Sequence, residues 1–336
     1  MTKIIILAND QTLVNMENHT FMHLLVVRSE PAALSVQRFE LRHPAGDELP
    51  PFTAGAHIQV RTPSGALRQY SLVNDPAERD RYVIAVKREG RGRGGSLSLV
   101  DGVRAGQTIE VGEPRNLFEL DARAHSFLLI AGGIGITPLM SMVRHLLAQG
   151  DRAFKLYYLS RDAQSSAFLQ ELAAPELAPY VVVHHDGGDP ARGLDLWPLL
   201  EKPGSAAGRH VYCCGPVSLM DAVRDMTGHW PASSVHFESF SADTRQHDDD
   251  QAFEVRLERS GRTVQVPAGQ TLLQALRTEG FDLASSCESG TCGTCKTRLL
   301  EGEADHRDWV LLEEEKADHL MVCVSRAKSP CLVLDL

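Results

Sequence analysis

Long apolar runs are missing from this 336-residue chain: stretches such as Phe127-Leu128-Leu129-Ile130 fall far short of the ~20 residues that a membrane span requires. An export signal is missing too, because the Ile4–Leu7 run is too brief for a signal core and no small-residue cleavage site follows it. Positive charge is scarce. Lys and Arg number 34 against 44 Asp and Glu, a formal net charge of −10, which argues against nucleic acid or an anionic membrane as the main partner. Internal repeats and low-complexity tracts are also lacking. What is present is ordinary globular composition, 43% hydrophobic and 23% charged. At ~100–200 residues per domain, the length suits two to three domains. The seven cysteines are odd in number and clustered rather than spread as a disulfide framework, so an intracellular, cytoplasmic metal or redox protein is expected.

The patterning divides the chain. Residues 1–22 carry little signal and are read as an N-terminal extension. From 23 to 120, short alternating segments (Leu24–Arg28, Ser35–Leu41, His57–Arg61, Arg68–Val73, Arg81–Lys87) with turn residues between them predict an antiparallel barrel or sandwich. From 121 to 240, continuous apolar runs alternate with helical stretches. Phe127–Ile130, Leu139–Gln149, Phe154–Leu159, a helix around Ala167–Leu172, Val181–His184 and His210–Cys213 predict an α/β doubly wound parallel sheet. Residues 241–251 are polar, include Asp248-Asp249-Asp250, and read as a linker. From 252 to 336, strands at Phe253–Leu257, Thr263–Val266, Thr297–Leu300 and Cys331–Leu334, with a helix at Thr271–Glu279, predict a small α+β unit.

Cys287-x4-Cys292-x2-Cys295, followed by 27 residues and Cys323, has the plant-type ferredoxin spacing for a 2Fe–2S cluster. Gly290 and Gly293 fall where the backbone must curl round the cluster. Zinc also takes four cysteines, but usually as two short pairs, whereas here three share one loop. Cys331 lies outside the set and suits a core position.

Ala131-Gly132-Gly133-Ile134-Gly135-Ile136-Thr137-Pro138 follows a buried strand and opens a helix, so its N–H groups and the helix dipole suit a pyrophosphate. Ser160-Arg161-Asp162 ends the next strand, where adenosine ribose is usually recognised. A carboxylate there favours NADH and an arginine favours a 2′-phosphate; the reading inclines to NADH because Asp162 would repel a phosphate. Cys213-Cys214-Gly215-Pro216 ends another strand, where a thiol can touch a nicotinamide or simply fill the core. In Arg68-Gln69-Tyr70-Ser71, the arginine suits a phosphate, the tyrosine a flat ring and the serine its polar edge. Gly94-Gly95-Ser96 before an apolar helical stretch offers a second phosphate cradle.

In this order the motifs resemble the phthalate dioxygenase reductase family, which includes vanillate O-demethylase reductases and belongs to the ferredoxin–NADP reductase-like group. The resemblance covers residues 23–336 and implies three domains: an FMN-binding β-barrel, an NAD-binding α/β domain and a C-terminal ferredoxin of β-grasp fold. It implies FMN contacts from Arg68, Tyr70 and Ser71, with Val86 and Lys87 on the neighbouring strand and Gly94, Gly95 and Ser96 at the phosphate. Phe240, in Phe237-Glu238-Ser239-Phe240, would shield the flavin or pack between domains. Gly133, Thr137, Ser160, Arg161, Asp162, Cys214, Gly215 and Pro216 would line the dinucleotide, and Cys287, Cys292, Cys295 and Cys323 would bind the cluster. Tyr70, Ser71 and Cys214 would stand nearest the reacting rings, Cys214 positioning the nicotinamide rather than acting as a nucleophile.

A nicotinamide gives a hydride and a 2Fe–2S cluster takes one electron, so a flavin between them is required. The chain is therefore expected to be an NADH-dependent reductase, acting as a monomer. It would feed a terminal oxygenase or O-demethylase, of the Rieske non-haem iron type and acting on an aromatic acid, as the resemblance implies. Residues from Asp250 onward hold 15 acidic and 10 basic side chains, an acidic face that would steer a basic partner. Rival readings are a reductase for a haem monooxygenase and a cluster-based redox regulator, the second leaving the flavin and nicotinamide segments without a role.

Overall fold

The computed structural model describes residues 21–90, 94–205, 207–240, 250–285, 288–291, 293–312 and 314–336. The first unit is built from β1 (Phe21–Ala33), β2 (Val36–Arg42), β3 (His57–Arg61), β4 (Leu67–Ser71), β5 (Tyr82–Lys87), α1 (Gly95–Gly102) and β6 (Thr108–Gly112). The six strands pair antiparallel in the order β4-β3-β6-β1-β2-β5. The two ends then meet: Leu72 bridges Ile84, and the Val73 N–H donates to the Val83 carbonyl at 2.8 Å. The sheet is thus closed into a barrel, which decides between the barrel and the sandwich that the alternation allowed and agrees with the resemblance. Alternate residues such as Leu24 and Val26, Phe39 and Leu41, Ile58 and Val60, and Ile84 and Val86 point inward and are buried. β1 begins at Phe21, so Phe21 and Met22, read as the end of an extension, pair with Gly112 and Val111.

The second unit comprises β7 (Ser126–Gly132), α2 (Ile136–Gln149), β8 (Ala153–Ser160), α3 (Leu169–Leu172), β9 (Val181–His185), α4 (Trp197–Leu200), β10 (Arg209–Cys214), α5 (Val217–Met226) and β11 (Val235–Glu238). Its strands are parallel, in the order β11-β10-β7-β8-β9. The chain order reverses between β7 and β10, the crevice where doubly wound sheets take ligands. Both motif loops, Gly132–Gly135 and Cys214–Pro216, end those two strands. One apolar core runs across the first two units, joining Val73, Val83 and Phe118 to Phe127, Leu139 and Met142. Arg144 fastens the same seam. It donates to the Val73 carbonyl at 2.8 Å and to Glu171, which also accepts from Arg38 at 2.9 Å.

The third unit contains β12 (Phe253–Leu257), β13 (Arg262–Val266), α6 (Leu272–Thr278), β14 (Lys296–Glu301), β15 (Ala304–Asp305), β16 (His319–Met321), β17 (Arg326–Ala327) and β18 (Cys331–Leu334). Its main sheet is mixed, in the order β13-β12-β18-β14-β16, with β12 and β18 parallel. Helix α6 starts at a capping box between Thr271 and Gln274 and buries Leu272, Leu273, Ala275 and Leu276 against the sheet. Residues 241–249 of the expected linker lie outside the described residues. Asp250, read as its last acid, is instead a buried anchor, with Arg307 at 2.5 Å and Arg326 at 3.5 Å.

Candidate active site

A cavity of about 380 Å³ lies where the three units meet. His57, Gln59, Arg68 and Ser71 of the barrel line one side, Phe237–Phe240 another, and Ser285, Glu288 and Thr291 of the cysteine loop a third. The barrel wall follows from register. β3 and β4 pair His57 with Ser71 and Gln59 with Gln69, so their side chains emerge together on the wall. The Ser71 hydroxyl donates to the Glu238 carboxylate at 3.5 Å, joining β4 to the end of β11.

Arg68 crosses the start of α1. A Cβ at Gly95 would stand 2.7 Å from the Arg68 Nε, so the arginine side chain lies directly against this helix end and a larger residue there would push it aside. Gly94, at φ 80, caps α1 without a side-chain bond, leaving the helix amino end to its N–H groups and dipole. The nearby Ser96 hydroxyl accepts the Glu89 N–H at 3.2 Å. The Tyr70 hydroxyl is buried with no hydrogen-bond partner among the described residues, and burial pushes its pKa up to about 12. A buried phenol usually finds a partner. This orphan donor suits a bond to a bound flavin, although the Tyr70 ring packs against the barrel core and is not among the residues lining the cavity. Val86 is only 1% exposed and Lys87 points outward, 3.9 Å from Glu89; neither side chain lines the cavity.

The dinucleotide residues divide between a tight seam and an open mouth. A Cβ at Gly135 would fall 2.1 Å from the Cys214 carbonyl oxygen, and one at Gly132 would fall 2.5 Å from Pro216. The two loops therefore pack backbone to backbone. Gly133, by contrast, has nothing within 4 Å of its Cβ direction, which leaves the turn open above the amino end of α2. The Thr137 hydroxyl is buried and donates to the Ile134 carbonyl at 3.0 Å, shaping that turn. Cys214 is fully buried and pairs with Glu238 across β10 and β11. Burial first, then the charge of Glu238, raises its thiol pKa well above the ordinary value, so it stays protonated.

At the ribose position, Ser160 is held by Ser166 at 2.7 Å and by His185 at 3.0 Å. The Asp162 carboxylate accepts the Ser165 N–H at 2.8 Å, which holds its pKa below the usual range and keeps it anionic. Arg161 is exposed and lies over Gly188.

Of the four expected cluster ligands, Cys295 and Cys323 are buried, while Cys287 and Cys292 lie outside the described residues. The described part of the loop fits a thiolate-bound cluster. Gly290, at φ 78, would bring a Cβ to 2.8 Å from Val324, next to Cys323, so the turn admits only glycine. Glu288 takes a positive φ of 50, and Arg277 at 2.6 Å holds its carboxylate.

A 2Fe–2S iron-sulfur cluster binding domain matches residues 255–328, and an oxidoreductase NAD-binding domain matches 129–225. The chain is 53% identical over 316 residues to the phthalate 4,5-dioxygenase oxygenase reductase subunit of Pseudomonas putida, covering 94% of this chain and 97% of that one. The chain belongs to the phthalate dioxygenase reductase family. A solved phthalate dioxygenase reductase, described as a modular structure for electron transfer from pyridine nucleotides to 2Fe–2S, is 54% identical, with TM-score 0.73 over 94% of this chain and 98% of the other. An intact type IV self-sufficient cytochrome P450 monooxygenase matches 94% of this chain at 38% identity and TM-score 0.70, through 41% of its own length. This reductase is therefore an oxidoreductase of oxygenase systems that moves electrons from NAD(H) to a 2Fe–2S centre. The expected cofactor set of FMN, NADH and 2Fe–2S is that of the family. No helix among the described residues is long and apolar enough to cross a membrane.

Among the residues lining the cavity, the motif segments include Arg68, Gln69, Ser71 and Phe237–Phe240. They missed His57, Gln59, Leu67, Leu117, Ser285, Glu288 and Thr291, which line the cavity without belonging to a recognisable spacing. His57 carries one weak signal: it begins the strand expected beside Arg68–Ser71.

Proposed function

We propose that this chain is the NADH-dependent reductase of a two-component oxygenase or O-demethylase, with a Rieske-type, aromatic-acid oxygenase as its partner. The observation that carries the reading is the cavity that joins Arg68 and Ser71, Phe237–Phe240 and the cysteine loop in one enclosure. Bound FMN supplies the change from two-electron to one-electron transfer that a hydride donor and a 2Fe–2S acceptor need between them. Arg68 and the amino end of α1 hold its phosphate, and Tyr70 gives its orphan hydroxyl to the flavin. Ser71 and Glu238 fix the polar side of the cavity, and Phe240, 47% exposed on its lining, would shield the flavin face. Gly133 admits the pyrophosphate, and the anionic Asp162 favours two free ribose hydroxyls over a 2′-phosphate. Cys214 stays a neutral thiol, so it orients the ring without attacking it. Cys287, Cys292, Cys295 and Cys323 hold the cluster, and single electrons leave there for the oxygenase.

The likeness to the reductase portion of a self-sufficient P450 favours one other reading, a haem monooxygenase as acceptor. An anaerobic NADH titration of the purified chain, followed by absorbance and electron paramagnetic resonance, tests the internal path. Bleaching of flavin and cluster bands with a reduced 2Fe–2S signal supports it; no response to NADH or NADPH refutes it. Turnover with a purified Rieske oxygenase or a P450 separates the two acceptors.

A further inference from the structure

Trp309 has no place in the cysteine motif, yet its side chain is one of those through which the third unit grips the second. The Arg224 guanidinium of α5 lies 3.4 Å from its ring centroid, and Phe237 of β11 packs on it at 5.3 Å between centroids. Arg224 also donates to the Asp308 carbonyl at 3.4 Å. The Trp309 backbone N–H donates to the Gly290 carbonyl at 2.9 Å, inside the cysteine loop. A second contact crosses the same seam. The Ser289 hydroxyl donates to the Ser239 carbonyl at 2.9 Å, with both residues buried. Ser239 lies between Glu238 and Phe240 on the cavity wall, and Ser289 lies two residues after the cluster ligand Cys287.

We infer that Trp309, clasped by Arg224 and Phe237, and the Ser289–Ser239 bond form a two-point latch holding the cluster loop against the flavin cavity, so that Trp309 and Ser289 are positioning residues for the flavin-to-cluster electron step. A cation over a partly desolvated indole is one of the stronger surface contacts available to a protein. The latch is tied to the loop backbone on one side and to the cavity wall on the other. A slip at Trp309 therefore changes the gap that the electron must cross, while the hydride step, assembled from the first two units, is untouched. The inference rests on the electron path proposed above.

The test uses the cofactor-loaded full chain and the variants Trp309→Ala, Trp309→Phe, Arg224→Met and Ser289→Ala. Anaerobic stopped-flow absorbance follows flavin and cluster bleaching separately after NADH is added. Iron content and the resonance spectrum of dithionite-reduced protein report the cluster itself. Flavin bleaching and NADH-dependent ferricyanide reduction should stay within twofold of the parent, and cluster reduction should slow at least tenfold in Trp309→Ala. Arg224→Met and Ser289→Ala should slow it several-fold, and Trp309→Phe should recover much of the loss. Hydrogen exchange should rise at 217–226 and 288–291 together in the latch variants. Should Trp309→Ala lose iron, Arg224→Met decides, because its side chain belongs to the other unit. Unchanged cluster reduction, or equal slowing of the flavin step, overturns the latch. If NADH fails to bleach the parent chain, the electron path itself is wrong, and the exchange data alone then decide the latch: unchanged protection rejects it.

Discussion

Cys213 and Cys214, at the end of β10, are wholly buried; Cys295 and Cys323, in the third unit, are buried nearly as deeply, at 4% and 2% exposed. Burial alone therefore separates the pairs poorly. Around Cys214 the neighbours are packed backbone, an apolar core and the Glu238 carboxylate, all of which favour the neutral thiol. Around Cys295 and Cys323, the tight Gly290 turn belongs to a loop with the cysteine spacing of a 2Fe–2S site, where a bound metal would balance the thiolates. The contrast teaches that a buried thiol is a core atom or a ligand according to which charges its surroundings can answer.

The largest break in this contrast should come from Cys323→Ser. Serine oxygen is a poor ligand for this iron centre, so iron content and the reduced-cluster signal should collapse. NADH-dependent cytochrome c reduction should then fall at least 100-fold while ferricyanide reduction, which needs only the flavin, persists. Parallel loss of both activities would show that the third unit supports the folding of the other two.

Gly135→Ala attacks the other pair. The added methyl would overlap the Cys214 carbonyl, with backbone on both sides and no flexible side chain to yield. Overpacking of this kind costs ~1–3 kcal/mol, so thermal unfolding of the second unit should move down by several degrees. The NADH KM should rise, with the flavin absorbance of the loaded protein unchanged. An unshifted melting curve would mean that the two loops are not packed as described.

Much of this architecture is legible in the chain. Alternation in Leu24–Arg28 and His57–Arg61 marks the barrel, and the unbroken run Phe127–Ile130 marks the centre of the parallel sheet, because only a strand covered on both faces tolerates it. The spacing of the four cysteines expected to hold the cluster is legible too, and of these Cys295 and Cys323 are buried in the third unit. β6 (Thr108–Gly112) and β11 (Val235–Glu238) are not legible. Each is short, has few apolar residues, and owes its strand conformation to pairing with β1 and with β10. Asp250 reads as linker because its Arg307 and Arg326 partners lie 57 and 76 positions away. Trp309 is illegible for the same reason: its meaning comes from Arg224 and Phe237 in another unit.

Tyr70→Phe is a smaller test. It removes only a buried hydroxyl that has no partner among the described residues. Without a flavin bond the change should be neutral or stabilising, since an unpaired buried polar group is unfavourable. If the hydroxyl serves the flavin, FMN affinity should fall about tenfold, equivalent to ~1.4 kcal/mol, with the unloaded chain's stability unchanged or raised. Fluorescence titration of flavin-free protein measures both sides of this distinction.

Cys214→Ala should give the smallest effect and the sharpest reading of the comparison. A thiol whose folded pKa is raised keeps its proton below its ordinary value near 9. Its contribution to stability is therefore fully present at neutral pH and is lost only as pH climbs above that value, where the unfolded thiol ionises and the folded one does not. The pH profile of ferricyanide reduction should accordingly have the same shape in parent and variant from about pH 6 to 9. The rate should drop less than tenfold, through loosened packing beneath the nicotinamide. Native Cys214 should also resist alkylation by iodoacetamide over that range. An alkaline rise in rate present in the parent and absent from the variant would mean that Cys214 ionises in catalysis. Then the two cysteine pairs would differ in partner but not in charge state, and the distinction drawn from burial and neighbouring charge would fail.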